Sequence, residues 1–320
     1  MPRRRHVLAL VAFVSIAASC SDDVTADTDA TTVVATTTAS TVSLTSTSTS
    51  TSIALDRPAT TVTTTPVTTA STNTSTTTSS TLIDLGITER PDWLGTRTLP
   101  LRPDGYAVAL PTPPELRDRR FATIDLLPPP TGTAFEATVD EIPPDVLARS
   151  TWNSGCPIDV GGLRYLTLTF WGFDGRHHRG EMIVNASIAD AVVEVFRKID
   201  AARFPIEEMR VTRADELDAA PTGDGNNTGS FVCRVTTGST GWSNHAYGKA
   251  IDINPFLNPY AKGELVVPEL ASDYLDRTNL RPGMIVAGDV VTSAFADAGW
   301  GWGGNFTSLT DTMHFSVNGH

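Results

Sequence analysis

Hydrophobic positions are spread unevenly along the chain. Between Thr31 and Ser80 they follow no period, 22 of the 50 residues are threonine, and only Asp56 and Arg57 are charged. Such a stretch buries no core, so residues 20–81 are expected to form a solvated, disordered tether. From Leu82 to Ser150 the apolar residues Trp93, Leu99, Leu101, Phe121, Leu126, Leu127 and Phe135 stand among closely spaced prolines, Pro128, Pro129 and Pro130 being consecutive. That density of proline argues against long helices and central strands, and the pattern predicts an arm, residues 82–150, packed along the next domain. Residues 151–320 read as a compact domain. Leu163 to Phe173 is rich in β-branched and aromatic residues, Asp174-Gly175 is a turn signal, and Glu181 to Val184 starts a return strand. Ile188, Val192, Val195, Phe196 and Ile199 then recur every three or four residues, predicting an amphipathic helix opened by Ser187 with Asp190 and ending before Phe204-Pro205. A second helical stripe, Val290, Val291, Ala294, Phe295 and Ala298, stops at Gly299. A hairpin mixed with two helices indicates an α+β domain, a central antiparallel sheet flanked by helices.

Composition changes the picture at the amino terminus. Arg3, Arg4 and Arg5 precede an apolar run from Val7 to Ala18 that is too short to span a membrane, which is the pattern of an export signal over residues 1–19. Ala17-Ala18-Ser19-Cys20 resembles the lipobox of bacterial lipoproteins and implies a lipid-modified Cys20 at the outer face of the membrane. An ordinary secretory signal is the alternative, and either route exports the chain. The net charge of −12 argues against a general nucleic-acid binder. Removing residues 1–19 takes away three arginines and no acid, leaving −15. Attraction to an anionic wall or lipid surface is therefore weak, and anchoring falls to the lipid. A monomer is expected. With Cys20 assigned to lipid, Cys156 and Cys233 remain, and one disulfide is the economical reading in an exported protein. Two free thiols are the alternative, while zinc ligation by these cysteines lacks CxxC spacing.

Of six histidines, His6 lies in the signal, His320 ends the chain, and His177 and His178 sit beside the Asp174-Gly175 turn, where they read as surface residues. His245 and His314 remain. The first lies in Ser243-Asn244-His245-Ala246-Tyr247-Gly248-Lys249-Ala250-Ile251-Asp252-Ile253-Asn254. In a strand Ile251 and Ile253 face the core and Asp252 points the other way, while Gly248 permits a turn that brings His245 back to Asp252. The second lies in Asp311-Thr312-Met313-His314-Phe315, where Met313 and Phe315 alternate with His314. Two imidazoles and one carboxylate match a catalytic zinc site with its fourth position open to water, and Asp311 is then the candidate general base. Trp300, Trp302 and Phe306 fit either a substrate groove or core packing.

The two motifs, Ser-x-His-x-x-Gly-x-Ala-x-Asp and Asp-x-x-His, resemble those of the zinc D-Ala-D-Ala carboxypeptidase and L-Ala-D-Glu endopeptidase family, which shares the hedgehog/DD-peptidase fold. The resemblance covers residues 151–317. It implies zinc bound by His245, Asp252 and His314, with Asp311, where many relatives have Glu, as base. It also implies an Arg before the first motif. Ser230-Phe231-Val232-Cys233-Arg234 has one residue fewer between Phe and Arg than the family pattern, and Arg234 is carried over as the cation for substrate carboxylate or oxyanion, beside Ser243 as a substrate-binding residue. The implied activity is hydrolysis of peptidoglycan stem peptides. The rival is a non-catalytic zinc-containing module of the same fold that binds the wall or signals.

Overall fold

The computed structural model describes residues 86–236 and 240–319. The expected signal, Cys20 and residues 20–81 lie outside the described residues. In chain order the regular elements are β1 (Ala137–Asp140), α1 (Pro144–Arg149), β2 (Leu163–Trp171), β3 (His177–Asn185), α2 (Ala189–Ala201), β4 (Glu208–Met209) and β5 (Asn227–Thr228). They continue as β6 (Ala250–Asp252), β7 (Tyr260–Lys262), β8 (Leu265–Val267), α3 (Val290–Asp297), β9 (Gly301–Trp302), β10 (Thr310–Asp311) and β11 (His314–Ser316). Three antiparallel sheets result, in the orders β1-β2-β3, β10-β7-β8 and β6-β11-β9, with β4 and β5 as a parallel pair. The architecture is mixed α and β with few helices.

Both helices follow the hydrophobic stripes. Val192, Val195, Phe196 and Ile199 of α2 and Val291, Ala294 and Phe295 of α3 are buried in one core with Leu166, Leu168 and Phe170 of β2 and Met182 and Val184 of β3. Ile251, Ile253 and Phe315 from the strands that carry the two motifs enter the same core. Burying each such side chain contributes roughly 1.5–3 kcal/mol, so this face holds the motif strands in place. Asp289 caps α3 by accepting from Thr292 N at 2.8 Å, and Gly299 follows at φ 80°.

The hairpin differs from expectation at its return. β3 begins at His177, opposite Trp171, four residues before Glu181. His177 and His178 are not surface residues. His178 is buried, with Nδ1 2.7 Å from Asp125 Oδ1 and Nε2 3.0 Å from Asp174 Oδ1, and His177 Nε2 is 2.8 Å from Asp200 Oδ1. Asp125, Asp174 and Asp200 meet three of the four ring nitrogens, while His177 Nδ1 is buried without a hydrogen-bond partner among the described residues. Cys156 and Cys233 form a disulfide with Cα atoms 5.7 Å apart, joining residues 77 apart in sequence. Cys233 packs with Val146, Leu163, Tyr165, Ile183, Val211 and Phe231.

Leu99, Ala107, Leu116 and Phe121 are buried against Phe173, Phe256, Leu257, Leu270 and Tyr274, and β1 pairs with β2 as an edge strand. The Pro-rich segment is pinned there by Arg119. Its Nε and Nη2 donate to Glu207 at 2.7 and 2.8 Å, and its Nη1 donates to the Asp224 carbonyl at 2.7 Å. Arg119 is 2% exposed and Glu207 1%. Asn226 donates to the same carboxylate at 2.8 Å and accepts from Phe256 N at 2.9 Å, which links the pair to the chain just beyond β6. Arg119→Ala leaves the buried carboxylate with only Asn226 and, at 3.5 Å, Arg90, and we expect a loss of about 3–5 kcal/mol in denaturant unfolding. The double variant Arg119→Met with Glu207→Met should recover much of that loss; equal instability of the two proteins would show that the cost is packing rather than charge.

Candidate metal centre

His245 lies on a 3₁₀ turn, Asn244–Tyr247, capped by Ser243, whose Oγ accepts from His245 N at 3.3 Å. The turn ends at Gly248, in the left-handed region at φ 63°. A Cβ there would meet Asn185 N at 2.6 Å, so both conformation and space require glycine. Two residues later β6 begins and delivers Asp252. Across the sheet, β11 pairs antiparallel with β6 so that His314 stands directly opposite Asp252. Opposed residues of an antiparallel pair share a face, which brings imidazole and carboxylate together without any long side-chain reach.

On its other side Asp252 exchanges both backbone hydrogen bonds with Gly229, at 3.0 and 2.9 Å. The next residue, Ser230, turns its carbonyl to His245, and Nδ1 donates to it at 2.6 Å. A carbonyl can only accept, so the neutral ring presents Nε2 as a lone pair toward the centre. There Nε2 is 3.2 Å from His314 Nδ1 and 3.3 Å from Asp252 Oδ2, while His314 Nδ1 is 3.0 Å from Asp252 Oδ1. One ligand atom from each residue lies within 4.8 Å of the others. Burial opposes the charge on Asp252, but the positive charge and hydrogen bonds that His245 and His314 supply when protonated outweigh it and hold the carboxyl well below its usual range. Two nitrogens and an ionised oxygen aimed at one point fit a divalent cation, and zinc suits this borderline donor set.

Asp311 comes from β10, which pairs with β7. Its Oδ1 is buried with no hydrogen-bond partner among the described residues. Burial first and the Asp252 charge second push its carboxyl up to about 7, against the opposing influence of His314 and Arg234. The Gly303 backbone packs so closely that a Cβ there would collide with the carbonyl oxygen of Asp311. Trp302 donates from Nε1 to the Thr312 carbonyl at 2.9 Å and stacks on Phe315, with ring centroids 6.4 Å apart. Trp300 is buried against Phe295. These tryptophans therefore support the loop carrying Asp311 and the core behind it.

Arg234 is exposed, one residue beyond the disulfide, and its carbonyl accepts from Ser243 N at 3.2 Å. Its charge reaches Asp311. Ser243, whose hydroxyl serves as the cap, borders the centre through the His245 turn. Two participants carried no chemical signal in the sequence. Ser230 acts through a main-chain carbonyl that any residue could supply, and Tyr260 stands opposite Asp311 only because β7 pairs with β10.

The mixed α and β scaffold thus brings together a His-Asp-His set able to hold a metal ion and, nearby, a carboxyl with a buried oxygen. Residues 237–317, the segment bearing both motifs, match the family described as D-alanyl-D-alanine carboxypeptidase. No curated protein and no solved structure gives a match.

The raised Asp311 carboxyl makes a stability prediction for the metal-free protein. A group that holds its proton more tightly when folded stabilises the fold below its unfolded value, about 4, and that contribution is lost as pH rises through about 7. In chelator, Asp311→Asn should therefore unfold at higher denaturant than wild type at pH 8, by about 1–3 kcal/mol, and show no gain at pH 4. An equal effect at both pH values would mean that Asp311 is not held protonated.

Proposed function

We propose that this protein is a zinc-dependent peptidase that hydrolyses peptidoglycan stem peptides, as a D-Ala-D-Ala carboxypeptidase or an L-Ala-D-Glu type endopeptidase. The observation that carries the reading is the convergence of His245 Nε2, His314 Nδ1 and an Asp252 oxygen beside the partnerless buried Oδ1 of Asp311. The peptidase family match over residues 237–317 supports the reaction class. His245, Asp252 and His314 would hold the zinc, which when bound supplies Lewis acidity toward the scissile carbonyl and acidifies a water.

The remaining work belongs to the chain itself. Asp311 accepts the proton of the attacking water and later returns it to the leaving amine. A carboxyl whose surroundings favour its protonated form suits that double duty near neutral pH. Arg234, exposed at the rim, binds the carboxylate of the stem peptide. The Ser230 carbonyl holds the His245 tautomer and so keeps Nε2 available. The disulfide, one residue from Arg234, anchors the segment that carries both groups.

The place of action follows from the same reading. We place the enzyme outside the cell, anchored through lipid on Cys20, with the Thr-rich segment giving reach to the wall. The disulfide supports an oxidising compartment. Among the described residues no helix is long and apolar enough to cross a membrane.

The test is digestion of purified peptidoglycan with and without chelator, with products identified by mass. Release of terminal D-Ala identifies the carboxypeptidase, and cleavage between L-Ala and D-Glu the endopeptidase. Asp311→Ala should lower hydrolysis by about 10²–10⁴-fold while stoichiometric zinc is retained. Full activity in that variant would remove the assigned base. Zinc binding with no digestion by the wild-type protein would leave the non-catalytic wall-binding module.

A further inference from the structure

Tyr260 opens β7 and stands directly opposite Asp311 on β10. Such opposed residues project on the same face with Cβ atoms about 4.5–5.5 Å apart. The phenol is half-buried and makes no hydrogen bond within the described residues. Burial, the charge of Asp311 and the phenol of Tyr106 all push its ionisation upward, so it keeps its proton and remains a donor. Tyr106 belongs to the Pro-rich segment, where Leu101 and Ala107 close a short antiparallel bridge. That segment therefore reaches the neighbourhood of the site.

Position decides what a donor there can do. A general base must lie within hydrogen-bond reach of the water that attacks the scissile carbon. A donor on the same sheet face, beside that base, is a candidate partner for the carbonyl oxygen on which negative charge develops. Arg234 is exposed at the rim, fitted to the permanent carboxylate of a peptide. A neutral phenol fits the charge that exists only in the transition state.

Building on the peptidase reading above, we propose that Tyr260 donates a hydrogen bond to the scissile carbonyl oxygen as it becomes an oxyanion. The phenol keeps its proton throughout, so no covalent bond to Tyr260 forms or breaks.

The experiment compares zinc-loaded wild type with Tyr260→Phe on a synthetic stem peptide and on a phosphinate analogue of its tetrahedral intermediate. Phenylalanine removes one oxygen that bonds nothing within the described residues, so zinc stoichiometry and melting temperature should be unchanged. We expect kcat to fall about 10²–10³-fold with KM within about threefold, and affinity for the phosphinate to fall with kcat/KM. A kcat within threefold of wild type, a loss confined to KM, or a lowered melting temperature would each overturn the assignment to Tyr260 and leave the peptidase reading standing. A zinc-loaded wild type that leaves the stem peptide intact would overturn both.

Discussion

The antiparallel pairing of β6 with β11 is the constraint on which the site depends. It sets His314 opposite Asp252. Gly248 turns the chain so that His245 reaches it, and the Gly229-Ser230 strip along the free side of β6 supplies the carbonyl that orients His245. Ile251 and Phe315, on the opposite faces of the same strands, are fully buried, which fixes the register. A slip of one residue would expose both to the site and turn Asp252 and His314 into the core.

A second buried interaction bears on that register from behind. Glu207 takes two hydrogen bonds from Arg119 and one from Asn226, and its own amide donates to Asn254 at 3.2 Å. Asn254 follows β6 with φ 43°, in a left-handed conformation that asparagine tolerates better than most residues, and is fully buried. Its side chain also donates to the Pro205 and Gly283 carbonyls, at 2.9 and 3.3 Å. The Pro-rich segment that contributes Arg119 is thus tied through Glu207, by its carboxylate on one side and its backbone amide on the other, to the residue two positions beyond Asp252.

The legible parts of the sequence were those whose signal is local. The stripes of α2 and α3 recur at the spacing needed to bury one helix face; Val192, Val195, Phe196, Ile199, Val291, Ala294 and Phe295 are buried, while Ile188, Val290 and Ala298 at the ends are partly buried. The alternation around Asp252 separates core from site, and Ile251 and Ile253 are buried accordingly. What was not legible depends on partners far away in the chain. β1 forms because β2 offers an open edge, although its surroundings are rich in proline. His177 and His178 are buried because Asp125, Asp174 and Asp200 meet them; Asp174 lies in the turn itself, but Asp125 and Asp200 come from 53 and 23 residues away. Ser230 works through its backbone, where side-chain chemistry carries no information.

The central claim is that His245, Asp252 and His314 together form one zinc site. Zinc K-edge X-ray absorption on the stoichiometrically loaded protein tests it directly. The account requires two imidazole ligands at about 2.0–2.1 Å with oxygen completing the shell and no sulfur, since the two cysteines of the described residues are joined to each other. A shell with one imidazole or none, or failure to take up one equivalent of zinc, would contradict it.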